Sequence, residues 1–116
     1  MGRATDLVTT TTTSDGKAVI AVRGEVDLVS CDELRRVVDD ALQISSHVVL
    51  DLTDLLFIDS SGLSVLVEAH RKARDAGGVL VVQNPTPMLS RLLDITRLDT
   101  LLVIETSESA PSNDRG

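Results

Sequence analysis

Apolar positions along the chain follow two rhythms. Short β-branched or wholly apolar runs alternate with stretches in which apolar residues recur every three or four positions. The opening run "LVTTTTTSDGKAVIAVRGEVD" predicts a hairpin. Threonine favours strands because its branched side chain suits a pleated surface. Ser14, Asp15, Gly16 and Lys17 supply turn chemistry, since aspartate can bond nearby backbone and glycine tolerates positive φ. Ala18 to Val22 is the expected second strand, and a low-complexity threonine tail over residues 9–13 is the alternative.

The helical rhythm starts at "VSCDELRRVVDDALQIS". Ser30 and Glu33 have capping-box spacing, and Leu34, Val37, Val38, Ala41 and Leu42 share a face. "HVVLDL" opens a nearly all-apolar strand, of the kind covered on both faces, that is expected to run to Asp59. A second helix is predicted from Gly62 to about Ala76. Val65, Leu66, Ala69 and Ala73 form its apolar stripe; Ser64, Glu68, Arg71, Lys72 and Asp75 form the polar one. Gly77 and Gly78 should end it. "VLVVQ" is the next strand, and Thr86 with Pro87 should start a third helix that continues through Leu89, Leu92, Leu93 and Thr96. "LLVIE" is the last strand, and the polar tail 107–116 is expected to be disordered. The order β-β-α-β-α-β-α-β predicts an α/β domain over residues 1–106, with a mixed, largely parallel sheet and at least one antiparallel edge.

Composition narrows the possible chemistry. In 116 residues Phe57 is the only aromatic, so the core must be aliphatic. A net charge of -7 argues against non-specific nucleic-acid binding and leaves room for a basic protein partner. Cys31 is the single cysteine; together with His47 and His70 it makes no metal-ligand spacing, and no cofactor motif appears. Cys31 reads as a small residue in the first turn of a helix, His47 as structural, and His70 as a surface helix residue. No apolar stretch reaches the roughly 20 residues of a membrane span, and "MGRATD" lacks a signal-peptide core. A cytoplasmic protein is the simplest expectation.

The segment with chemical interest is "FIDSSGLSVL". A strand ends at Asp59 and a helix begins near Gly62, which places Ser60 or Ser61 at a helix N-terminus. Unpaired N–H groups and the positive end of the helix dipole collect there. A serine there can be an ordinary N-cap, stabilising by about 1 kcal/mol. It can also carry a phosphate, which the same field and N–H groups would hold. Asp59 reads either as a residue shaping the site or as a strand-end carboxylate that caps the turn, and Asp27 either as a site residue or as a turn residue. Gly62 should let the helix start close to the sheet. "DSSGL" is not a nucleophile elbow, and His70 lies about 12 Å along the helix from Gly62, so a hydrolase using Ser60 would lack a base.

"GEVD" (Gly24 to Asp27), "VVLDLTDLLFIDSSGL" (Val48 to Leu63) and the helix-Gly-Gly-strand sequel resemble the STAS domain of SpoIIAA-like anti-sigma factor antagonists. The resemblance covers residues 6–106 in element order. It implies a partner-switching protein. Ser60 would be the phosphoacceptor, with Ser61 as the fallback. The partner would be an anti-sigma factor with serine kinase activity, and a PP2C-type serine phosphatase would restore the unphosphorylated form. Binding of the antagonist would free a sigma factor for transcription. The expected partner surface comprises Asp27, Asp59, Ser60, Ser61, Gly62 and Ser64, with Val67 at the rim, on a protein expected to be monomeric. A STAS accessory or scaffold module, as in lipid-transport ATPases or stress-sensing assemblies, is the alternative that dispenses with phosphorylation.

Overall fold

Two consecutive positive φ angles, 54° at Asp15 and 79° at Gly16, turn the chain between β1 (Val8–Ser14) and β2 (Lys17–Val26). These strands pair antiparallel through seven register positions, so the threonine run is a strand rather than a tail. The computed structural model describes residues 6–106; the expected disordered tail 107–116 lies outside them. β2 extends four residues past Val22, and that extension changes partner. Residues Ala18 to Ala21 pair parallel with β3 (His47–Asp51), and Gly24 to Val26 pair parallel with β4 (Leu55–Ile58). The register shifts between Gly24 and Glu25.

The single strand expected over residues 47–59 is therefore two strands. Asp51 makes the break: its Oδ1 accepts hydrogen bonds from Thr53 N (3.1 Å) and Thr53 Oγ1 (2.6 Å). Leu55 N then closes a turn on Leu52 O at 3.2 Å. Local side-chain bonds of this kind compete with a sheet ladder and end it. The remaining strands, β5 (Val79–Gln83) and β6 (Val103–Glu105), complete the sheet in the order β1-β2-β3-β5-β6, with β4 beside β2. Every pairing except that of β1 with β2 is parallel, as the alternating element order requires.

Three helices cover one face: α1 (Cys31–Ile44), α2 (Ser60–Asp75) and α3 (Pro87–Ile95). Leu34, Val38 and Ala41 of α1, Val65, Leu66, Ala69 and Ala73 of α2, and Leu89 and Leu93 of α3 join alternate strand residues in one aliphatic cluster. Successive strand side chains point to opposite faces, so Ile20, Val22, Val48, Leu50, Leu80 and Val82 all face the helices. Cys31, in the first turn of α1, is buried among them.

The element boundaries follow local rules in two places and depart from them in two others. Gly77 N bonds Arg74 O at 2.9 Å and Gly78 N bonds Ala73 O at 2.8 Å, with Gly77 at φ 80°. That is the paired bonding of a Schellman end, which needs a left-handed residue. Thr86 Oγ1 accepts from Leu89 N at 3.3 Å ahead of Pro87, as the sequence predicts. By contrast, the Ser30–Glu33 capping box does not form, because Ser30 Oγ turns back onto the Asp27 turn, where it accepts from Asp27 N (3.0 Å) and its proton lies within reach of Asp27 Oδ1 (3.0 Å). The final strand is also shorter than "LLVIE": a 3-10 turn at Leu98–Thr100 draws Leu101 N and Leu102 N back onto Leu98 O.

Candidate functional site

Parallel pairing sets Val26 beside Ile58, so β2 and β4 end together. The next residues on each strand, Asp27 and Asp59, emerge side by side at the carboxyl end of the sheet. Asp59 N donates to Val26 O at 3.1 Å and ties the two exits to each other. Parallel strands lie about 4.8 Å apart, so the two exits are neighbours.

Asp59 is the cap of α2. Its Oδ1 accepts from Ser61 N (2.8 Å) and Gly62 N (3.2 Å), and its carbonyl accepts from Leu63 N at 3.0 Å. The helix thus begins at Ser60, two residues earlier than expected, and neither serine is the N-cap. An aspartate at this position satisfies two amides and places negative charge at the positive end of the helix dipole. Of the first-turn amides, Ser61, Gly62 and Leu63 are already bonded, so they are not free to hold a phosphate as the sequence reading supposed.

Ser60 occupies the first helical position and is exposed; Ser61 is half-buried. Ser64, one turn on, is exposed and donates from Oγ to Ser60 O at 3.0 Å. Val67, a further turn along, is half-buried and lines a groove with Leu63, Ser64, Glu68 and Leu98. Gly62 is buried, and a Cβ there would stand 2.4 Å from Ile58 Cγ1 and 2.8 Å from Val26 Cγ1. Only glycine lets α2 begin this close to the strand ends. Asp59, Ser60, Ser61, Gly62 and Ser64 therefore share the first turns of one helix, with Asp27 on the neighbouring exit.

Asp27 organises its own turn. Its Oδ1 accepts from Val29 N, Ser30 N and Ser30 Oγ, each at 3.0 Å, and its carbonyl accepts from Cys31 N at 2.8 Å. Asp27 is thus a turn residue, and its carboxylate is held within that turn rather than left to swing. Sequence reasoning missed Glu25 and Val29, which line the cavity beside Asp27; "GEVD" held part of that signal.

His70 is a correction. It is 6% exposed rather than on the surface, and its Nδ1 has no hydrogen-bond partner among the described residues. Ser60 sits ten positions before it at the far end of α2, about 15 Å along the axis, so the imidazole is no base for that hydroxyl. α2 is fixed to α1 on its polar side. Arg35 Nε bonds Glu68 Oε1 at 2.7 Å and Lys72 Nζ bonds Asp39 Oδ1 at 2.8 Å; Arg35 also pairs with Asp32. The hydrogen bond from Arg35 holds the Glu68 carboxyl below its ordinary pKa, and the same bond raises that of Arg35.

A one-faced α/β domain with a capped strand-to-helix junction bearing an exposed serine defines a class that known proteins share. The STAS domain family model matches residues 8–110, and this chain belongs to that family. It is 34% identical over 95 residues to an anti-sigma F factor antagonist of Paenibacillus polymyxa, covering 80% of this chain and 81% of that one. It is 31% identical over 85 residues to an anti-sigma-B factor antagonist of Bacillus subtilis, covering 73% and 78%. Its fold is similar to that of an anti-sigma factor antagonist from Mycobacterium paratuberculosis, with TM-score 0.79, 24% identity and 90% of each chain covered. It is also similar to SpoIIAA in its unphosphorylated form, with TM-score 0.72, 19% identity and coverage of 86% and 90%. Among the described residues no helix is long and apolar enough to cross a membrane, and no group of three or more His, Cys, Asp or Glu side chains could hold a metal.

Proposed function

We propose that this chain is an anti-sigma factor antagonist that works by partner switching. Unphosphorylated, it binds an anti-sigma factor and releases the sigma factor held there. The anti-sigma factor is itself a serine kinase, phosphorylates Ser60, and so ends the complex; a PP2C-type phosphatase resets the chain. The observation that carries this reading is the exposed Ser60 at the first position of α2, directly after Asp59, on a strand exit that neighbours that of Asp27. Its exposure favours it over half-buried Ser61 as the acceptor.

The surroundings supply the mechanism. A phosphate adds about -1.5 to -2 charges at neutral pH. Asp59 already holds the Ser61 and Gly62 amides, so the new dianion meets a carboxylate in the seat it would otherwise take. In free protein, water solvates it. Inside a complex it is desolvated beside two aspartates. An uncompensated interfacial charge costs about 2–5 kcal/mol, roughly thirtyfold to several thousandfold in affinity. Local repulsion is enough, without a large rearrangement.

The test is phosphorylation by the host's purified anti-sigma serine kinases with labelled ATP, followed by mapping of the modified residue. Label is expected on wild type and Ser61→Ala and absent from Ser60→Ala. Label that persists in Ser60→Ala moves the acceptor to another residue. A chain that no such kinase modifies, yet that anchors a larger assembly, supports the scaffold alternative.

A further inference from the structure

Cations on the two sides of α2 are placed differently. Toward α1, Lys72 bonds Asp39, and Arg35 bonds Glu68. Away from α1, the exposed Arg71 and Arg74 make no hydrogen bond or ion pair with any described residue, in a chain whose net charge is -7. These two guanidiniums line a cavity of about 240 Å³ with Val67, His70, Asp75 and Leu101. His70 is the buried histidine whose Nδ1 has no partner. A sealed lone pair is better tolerated than a sealed N–H without an acceptor, so the ring proton is assigned to Nε2. Nε2–H is then the donor that His70 can offer to the cavity it lines. Asp75 is the single carboxylate in that lining, against two guanidiniums. Val67 joins the cavity to the groove of about 300 Å³ that it shares with Leu63, Ser64, Glu68 and Leu98. The Glu68 carboxylate there is taken up by Arg35. The surface along α2 is therefore aliphatic near Ser64 and cationic near Arg74.

Size and position tie this surface to the switch. A standard interface covers about 800 Å² of each partner, a disc roughly 16 Å in radius. Val67 and Arg71 lie about 10 Å and 16 Å along the helix axis from Ser60. Ser64, at the near end, bonds the Ser60 carbonyl. A partner of ordinary size that covers Ser60 reaches the groove. What seats there brings aliphatic side chains to the near end and a carboxylate to the far end. We infer that the groove receives a segment of the anti-sigma factor whose aliphatic side chains lie over Val67 and Leu98 and whose Asp or Glu side chain is held by Arg71, Arg74 and His70 Nε2. Guanidinium suits that task, because its planar fork of donors takes a carboxylate two bonds at a time. The inference rests on the partner-switching reading above and gives recognition a second, positively charged site away from the hydroxyl. The Debye length is about 8 Å at physiological ionic strength, so a phosphate on Ser60 is largely screened from these guanidiniums. They attract the partner in either state, and Ser60 alone decides the switch.

The experiment is calorimetric titration of the purified host anti-sigma serine kinase, at low and at high salt. It compares wild type with the double variant Arg71→Gln/Arg74→Gln, with Leu101→Ser and with the control Lys17→Gln. Lys17 is exposed at the start of β2, the end of that strand opposite the Asp27 exit. Melting followed by circular dichroism checks folding, and Leu101→Ser, outside α2, carries the test if the double variant melts early. The double variant is expected to bind about tenfold more weakly at low salt and to approach wild type at high salt, where charge pairs are screened. Leu101→Ser is expected to lose about threefold or more at both salts, and Lys17→Gln to stay within about twofold of wild type. Groove variants that bind like wild type at low salt, while Ser60→Asp has lost binding, overturn this inference and leave the switch standing. A double-variant loss that persists undiminished at high salt also overturns it. If wild type binds no such kinase, both readings fall. If sedimentation shows that the double variant dissolves a homodimer while kinase affinity is unchanged, the groove belongs to a second copy and the inference is overturned.

Discussion

Asp59 decides how the junction is built. Its backbone accepts the first helical hydrogen bond and its carboxylate takes the next two amides, which leaves the Ser60 hydroxyl without structural duty in the cap. Replacing a capping aspartate by alanine costs about 0.5–2 kcal/mol. Asp59→Ala is therefore expected to lower unfolding stability by about 1 kcal/mol in urea titration, while Ser60→Ala leaves it within a few tenths. Equal losses in the two variants would return the cap to the serine. The sequence showed that some oxygen caps here, because Asp, Ser and Ser are all capping residues. It could not say which, since that choice turns on backbone angles at one residue. The same holds for Ser30, whose hydroxyl the Asp27 turn captured, and for His70, which tertiary packing buries in spite of its polarity.

At the scale of elements, the hydrophobic rhythm was enough to place three helices and the parallel pairings, because each helix shows a stripe of matching period and each central strand an unbroken apolar run. It was not enough to divide β3 from β4, since Leu52, Leu55 and the flanking residues read as one run and the break is a pair of bonds that Thr53 donates to the Asp51 side chain. Nor does periodicity reveal that β2 changes partner at Gly24, a property of the whole sheet. Between helices, α1 and α2 are joined on their polar side by Arg35 and Glu68, both part-exposed and so screened by water. The depressed Glu68 pKa means this contact adds stability above the ordinary carboxyl range and loses it as pH falls through the lowered value. Wild type is thus expected to be more stable than Glu68→Gln at neutral pH, with the gap closing in acid. Thermal melts across that range check it, and a gap that widens toward low pH would contradict the assignment.

On the scale of the whole molecule, all three helices contribute to one cluster on one face of the sheet, and the carboxyl ends of β2 and β4 meet at one place. That arrangement gathers Asp27, Asp59 and Ser60 from two segments more than thirty residues apart and sets them on a rigid base. A rigid base suits a switch that works by local charge, because phosphorylation then changes what the surface repels without first having to unfold it. The most direct measurement is the affinity of the purified anti-sigma kinase for chain phosphorylated at Ser60, set against Ser60→Ala under identical conditions. The account predicts that the phosphorylated chain binds at least about thirtyfold more weakly while its amide spectrum stays native outside the first turns of α2. Equal affinities, or a loss accompanied by spectral change throughout the sheet, would contradict it.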